Sequence, residues 1–130
     1  MRCLAESATL GADFKLKMTE QIMSQDEQFE QGLQMRKQVM GEAFVEKAFA
    51  NVDAFTAPFQ EFVTRNAWGT SWCREGLDLK TRSLITLSML TALGRSTEIK
   101  GHVRGAINNG ASMEEIQEVL EVLRSGYLYR

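Results

Sequence analysis

The stretch from Asp78 to Glu115 carries helix starts and stops at close intervals, and these constrain the fold more than any other feature. Asp78 precedes an apolar run, Leu79 to Leu93, that Gly94 closes. Ser96 then stands before a second run, Thr97 to Asn109, and Gly110 follows it. Ser112 and Glu115 are spaced as a capping box, in which each side chain satisfies a free backbone N–H of the other at a helix start. Glycine just past a helix end is the residue that best accepts a left-handed cap. Short connections of this kind join packed helices and leave no room for a strand.

The rest of the chain reads the same way. A single proline, Pro58, and seven methionines favour helix over strand. Asp26 caps an expected helix over Glu27 to Met40, with Phe29, Leu33 and Met40 on one side and Gly41 after its last turn. Glu42 to Ala50 forms a short helix, with Phe44, Val45, Ala48 and Phe49 apolar, and Asn51 and Asp53 break it. Thr56, Ala57 and Pro58 open a third helix that reaches about Trp72 and carries Phe59, Phe62 and Val63 on one face. The segment Leu79 to Leu93 is apolar almost all round and is expected to be the central buried helix. Ile116, Val119, Leu120 and Leu123 stripe the last helix. The expected class is all-α, about six helices in one domain over residues 26–130, after a disordered leader over residues 1–25.

Composition narrows the function. A net charge of −2 gives no general attraction to nucleic acid or to anionic membrane. No apolar run is long enough to span a bilayer, and the N-terminus lacks the apolar core of a secretory signal. Two distant cysteines, Cys3 and Cys73, make no disulfide framework and read as reduced thiols of a cytoplasmic protein. One histidine and no CxxC disfavour a zinc site. No glycine-rich phosphate loop and no nucleophile elbow are present.

What chemistry remains gathers around His102. It stands three residues after Ile99 on the fifth helix, where Ile99, Val103, Ala106 and Ile107 form the apolar face. Either it is a buried, hydrogen-bonded histidine, or it exchanges a proton in a cleft, since only imidazole titrates unaided near neutral pH. Glu98, one turn earlier, either orients the imidazole or is a plain surface carboxylate favoured at a helix start. Arg82, in the apolar fourth helix, is either ion-paired to Glu98 or Glu115 or is an anion clamp. Arg95 and Arg104 read as surface charges. Trp68, beside Gly69, belongs either to core or interface or to a small-molecule pocket. Cys73, without a histidine or second cysteine nearby, reads as an inert thiol.

Three segments, "FEQGLQMRKQVMGEAFVEKAFAN", "PFQEFVTRNAWGTSWCREGLDLKTRSLITLSMLTALGR" and "EIKGHVRGAINNGASMEEIQEVL", together resemble the carboxymuconolactone decarboxylase family without a gap. The resemblance implies an all-helical fold of the alkylhydroperoxidase D type, assembled as ring-shaped homo-oligomers, commonly homohexamers. It implies loss of CO2 from 4-carboxymuconolactone to give 4-oxoadipate enol-lactone in protocatechuate breakdown, with no metal or organic cofactor. It makes His102 the expected catalytic residue, with Glu98 as its partner, and makes Arg82 and Arg95 expected substrate-binding residues, to which Trp68 is added from its place beside Gly69. Two departures stand out. Where the peroxidase branch carries CxxC, this chain has Arg95, Ser96, Thr97 and Glu98, which removes dithiol chemistry. After "EEIQEVL" the chain reads "RSGYLYR" where the family continues with another helical segment. A truncated or altered end after about residue 123 is therefore expected, and with it the alternative of a non-catalytic ligand-binding or assembly protein.

Overall fold

A computed structural model describes residues 25–127. Six α-helices and one π-helical segment follow in order: α1 Gln25–Met40, α2 Glu42–Ala50, α3 Ala57–Val63, the π segment Thr64–Trp72, α4 Leu79–Ala92, α5 Ser96–Asn108 and α6 Met113–Tyr127. No strand occurs among the described residues. Of the expected leader only Gln25 is described, and it opens α1; Cys3 lies outside the described residues.

The capping signals operate as their chemistry dictates. Asp78 accepts from the Thr81 backbone N–H at 2.8 Å and starts α4. Gly94 and Gly110 take the left-handed backbone, at φ +67° and +88°, after α4 and α5. Ser112 and Glu115 close the reciprocal pair, at 2.9 and 3.1 Å, before α6. One expectation shifts by a residue. Arg95, not Ser96, stands at the N-cap position of α5, and no side chain caps that end.

Two half-cores are joined through α5. In the first, Val39, Met40, Val45 and Trp68 are buried, bringing α1, α2 and the π segment together. In the second, Leu87, Ala106, Ala111 and Ile116 are buried between α4, α5 and α6. Ala106 turns toward the second, while Gly101 and Gly105 lie against Met40 and Val39 of the first. Asn108 reinforces the join by donating to the Val39 carbonyl at 2.9 Å. On the other side Asn109 donates to Ser83 Oγ at 2.9 Å, tying α5 to α4.

Two expectations are corrected. The third helix does reach Trp72, but its second half widens into π geometry, with Thr70 Oγ1 donating back to the Arg65 carbonyl. Close approach to α1 accompanies that change. A Cβ on Gly32 would collide with the Thr64 carbonyl, and one on Gly69 with the Gln28 carbonyl. Of the α3 face that carries Phe59, Phe62 and Val63, Val63 packs against the first half-core, while Phe59 and Phe62 are exposed. Likewise α4 is not buried all round. Ser83 and Leu87 point inward, whereas Ile85, Met89 and Leu93 are exposed.

Candidate active site

His102 lies on the α5 face that meets the π segment. Its ring stacks parallel to that of Trp68, with centroids 6.4 Å apart and planes at 2°. Trp68 is itself buried and stacks on Trp72 at 4.8 Å, so the wall behind the imidazole is aromatic and fixed. A cavity of about 300 Å³ opens beside the ring. Met40, Phe44, Val63 and Trp68 supply its apolar lining; Arg36, Thr97, Glu98 and His102 supply its polar groups. Gly101 also lines it, and a side chain there would press on Met40 and Phe44. The absent Cβ thus keeps the space open.

Burial lowers the pKa of His102, and the Glu98 carboxylate opposes this only in part. The free imidazole is therefore neutral at pH 7 and gains a proton more readily when an anion enters beside it. Glu98 lines the same cavity, and its carboxylate meets Arg95 at 3.5 Å.

Arg36 is the site residue that sequence reasoning missed. It is 8% exposed, yet among the described residues no carboxylate pairs with it. Its Nη1 donates to Gln60 Oε1 at 3.0 Å and to Thr64 Oγ1 at 3.1 Å. The guanidinium carbon sits 5.6 Å from the centre of the Phe49 ring, within cation–π reach. Burial lowers its pKa with no acid to offset it, although a guanidinium stays charged in proteins. A signal was present. Phe29, Leu33, Arg36 and Met40 fall at i, i+4, i+7 and i+11, which places an arginine within the apolar stripe of α1.

Arg82 and Arg95 do not join this cavity. Arg82 donates to the backbone carbonyls of Leu77 and Arg74, bracing the turn before α4. Neither suggested partner pairs with it, since Glu115 takes Lys80 at 2.9 Å and Glu98 takes Arg95. Arg95 is exposed at the start of α5. Burial raises the pKa of Cys73, which keeps the thiol protonated. No group of three potential metal-binding side chains converges among the described residues.

Residues 57–126, more than half of the chain, match the carboxymuconolactone decarboxylase family. The chain belongs to that family. The match begins at α3 and takes in the π segment, α4, α5 and most of α6, including Trp68, Glu98 and His102; Arg36 lies upstream of it. Among relatives, the chain is 41% identical over 98 residues to the 4-carboxymuconolactone decarboxylase of Acinetobacter baylyi, covering 75% of this chain and 73% of that protein. It is 47% identical over 92 residues to the nitrosuccinic acid decarboxylase of Metarhizium robertsii, covering 71% of this chain and 64% of that protein. A 4-carboxymuconolactone decarboxylase of Pseudomonas putida is 34% identical over 47 residues, which cover 36% of this chain. Family and relatives make the chain a carboxy-lyase.

Proposed function

We propose that the chain decarboxylates 4-carboxymuconolactone to 4-oxoadipate enol-lactone, a step of protocatechuate breakdown, without metal or organic cofactor. The observation that carries this reading is a single imidazole on an aromatic wall, in an apolar cavity that also holds a buried guanidinium with no carboxylate partner among the described residues. The reaction asks for these parts. The carbon bearing the departing carboxylate is conjugated through a ring double bond to the lactone carbonyl. When that C–C bond breaks, its electron pair spreads over the ring as a dienolate and CO2 leaves. A proton must then reach the carbon next to the carbonyl.

His102 is assigned as the proton donor. The incoming dianion favours its charged form, so the imidazole takes up a proton on binding and gives it to the dienolate carbon. Glu98, the carboxylate lining the cavity, is assigned to hold that imidazolium in place. Trp68 fixes the ring and keeps water from its face. The relative named for nitrosuccinic acid supports a shared demand, because that compound also carries two carboxyl groups and an oxygen-rich electron sink.

We further propose a cytoplasmic homo-oligomer, a hexamer by family likeness. The exposed stripes Phe55, Phe59, Phe62 and Ile85, Met89, Leu93 support assembly, for they leave more apolar surface uncovered than one chain's own packing explains.

The test is direct. Purified protein should bleach the ultraviolet absorbance of the lactone with chelator present. His102→Ala should lose about 10²–10⁴-fold in rate while keeping its helical circular dichroism. A wild-type protein that leaves the lactone intact, or a fully active His102→Ala, overturns the reading.

A further inference from the structure

The substrate of the proposed reaction carries two carboxylates, and only one of them leaves. Which of the two meets Arg36 determines whether that residue helps or hinders. Besides His102, Arg36 is the one cationic side chain lining the cavity among the described residues. Its Nη1 is spent on Gln60 and Thr64, while Nε and Nη2 bond nothing among the described residues. Those two nitrogens form the side edge of the guanidinium, which takes a carboxylate through two parallel hydrogen bonds. The edge is not sealed off. Thr91 Oγ1 is the sole fully buried, partnerless side-chain polar atom among the described residues. Gln60, the fully buried Thr64 and the Phe49 ring hold the group in place before anything binds. A buried cation without a counter-ion is costly, so this edge is suited to an anion brought by the ligand.

A cation on the departing carboxylate would be counterproductive. That group loses its charge as CO2 forms, so an ion pair there is strongest before reaction and raises the barrier. A cation on the carboxylate that stays is equally strong throughout, and it fixes orientation at no catalytic cost. Glu98, also lining the cavity, repels a second anion from its own surroundings. We infer that the Nε/Nη2 edge of Arg36 anchors the retained acetate-arm carboxylate, which sets the departing carboxylate against the uncharged wall of Met40, Phe44 and Val63. This rests on the decarboxylase reading for the identity of the two groups.

Two measurements test the assignment. The first needs no turnover. A lactone bearing the acetate arm but no ring carboxyl is titrated by calorimetry, alongside its methyl ester. Wild type should prefer the acid by about 10–100-fold, as a charged hydrogen-bond pair warrants. Arg36→Gln should bind acid and ester alike, with ester affinity unchanged, and Arg36→Lys should fall between. The second is a cycle with the full substrate and its arm-esterified form. The ester should cost wild type about 10–100-fold in kcat/KM and should cost Arg36→Gln almost nothing. An equal loss in both enzymes, or equal binding of acid and ester by wild type, overturns the anchor. If Arg36→Gln does not fold, Thr64→Val takes its place. It removes one of the two acceptors and should narrow the acid preference; an unchanged preference in the folded variant also overturns the anchor. Acid preference without any turnover removes the decarboxylase reading and leaves Arg36 as an anion anchor, whereas turnover without acid preference does the reverse.

Discussion

The imidazole of His102 and the indole of Trp68 lie in parallel planes, 2° apart, although 34 positions of sequence separate them. The contact joins α5 to the π segment and covers one face of an imidazole that is partly withdrawn from water. Trp68→Leu should therefore let water reach the ring and raise the His102 pKa toward its ordinary value near 6.5. His102 is the only histidine, so one imidazole resonance in a proton NMR titration reports the shift without assignment. A pKa that stays low in the folded variant would mean that another group causes the depression.

The same depression has a consequence for stability. Because the folded pKa lies below the unfolded value, the unfolded chain binds more protons between the two. The contribution of His102 is thus fully present above about pH 6.5 and is lost as pH falls through the folded value. His102→Gln should flatten this part of the profile. Urea midpoints measured from pH 8 to pH 5 should decline less in the variant than in wild type.

Gly32 and Gly69 set how closely the π segment approaches α1, because at each a Cβ would meet the other element's backbone. Backbone cannot move aside as a flexible side chain can. Gly69→Ala should cost about 3 kcal/mol, at the upper end for overfilling a packed interface. It should also shift Thr64 and Trp68, so its residual activity should fall further than its stability. Chemical denaturation and a rate measurement on the same preparation check both.

The helix ends were legible in the sequence because each is set by local chemistry. Asp78, Gly94, Gly110 and the Ser112–Glu115 pair act within a few residues of themselves. His102, Glu98 and Trp68, which line one cavity, were singled out in the sequence by uniqueness, by spacing one turn before His102 and by place beside Gly69. Arg82 and Arg95 were not resolved by spacing, since helical periodicity does not describe the turn before α4, whose Arg74 and Leu77 carbonyls hold Arg82. Arg36 was overlooked for the converse reason. Its position in the α1 stripe was visible, but its partners Gln60 and Thr64 stand 24 and 28 residues away. The π geometry was hidden altogether, because tertiary contact at Gly32 and Gly69 accompanies it and Thr64–Trp72 bears no local mark of it.

The capping box gives a control. Ser112→Ala removes the acceptor for the Glu115 backbone N–H, and Ser112 does not line the cavity. It should lower stability by about 1 kcal/mol, the usual cost of a lost N-cap, and leave kcat/KM unchanged. A fall in both would mean that α6 positions the site through α5.

The exposed apolar stripes carry the last prediction. Ile85, Met89 and Leu93 recur at i, i+4 and i+8 along α4, and Phe55, Phe59 and Phe62 sit at and along α3. If the chain stood alone, a charge at these positions would meet only water, and Met89→Glu or Phe59→Glu should change stability by no more than about 0.5 kcal/mol. In an assembly the same charge is driven into an apolar interface, and the cost falls on association. Sedimentation should therefore show a lower mass for each variant than for wild type, with a thermal midpoint that rises with protein concentration in wild type and less so in the variants. Because the cavity of each chain is built from its own α1, α2, α3, π segment and α5, a dissociated variant should still bind the acetate-arm lactone. Loss of that binding together with loss of mass would place part of the site on a neighbouring chain.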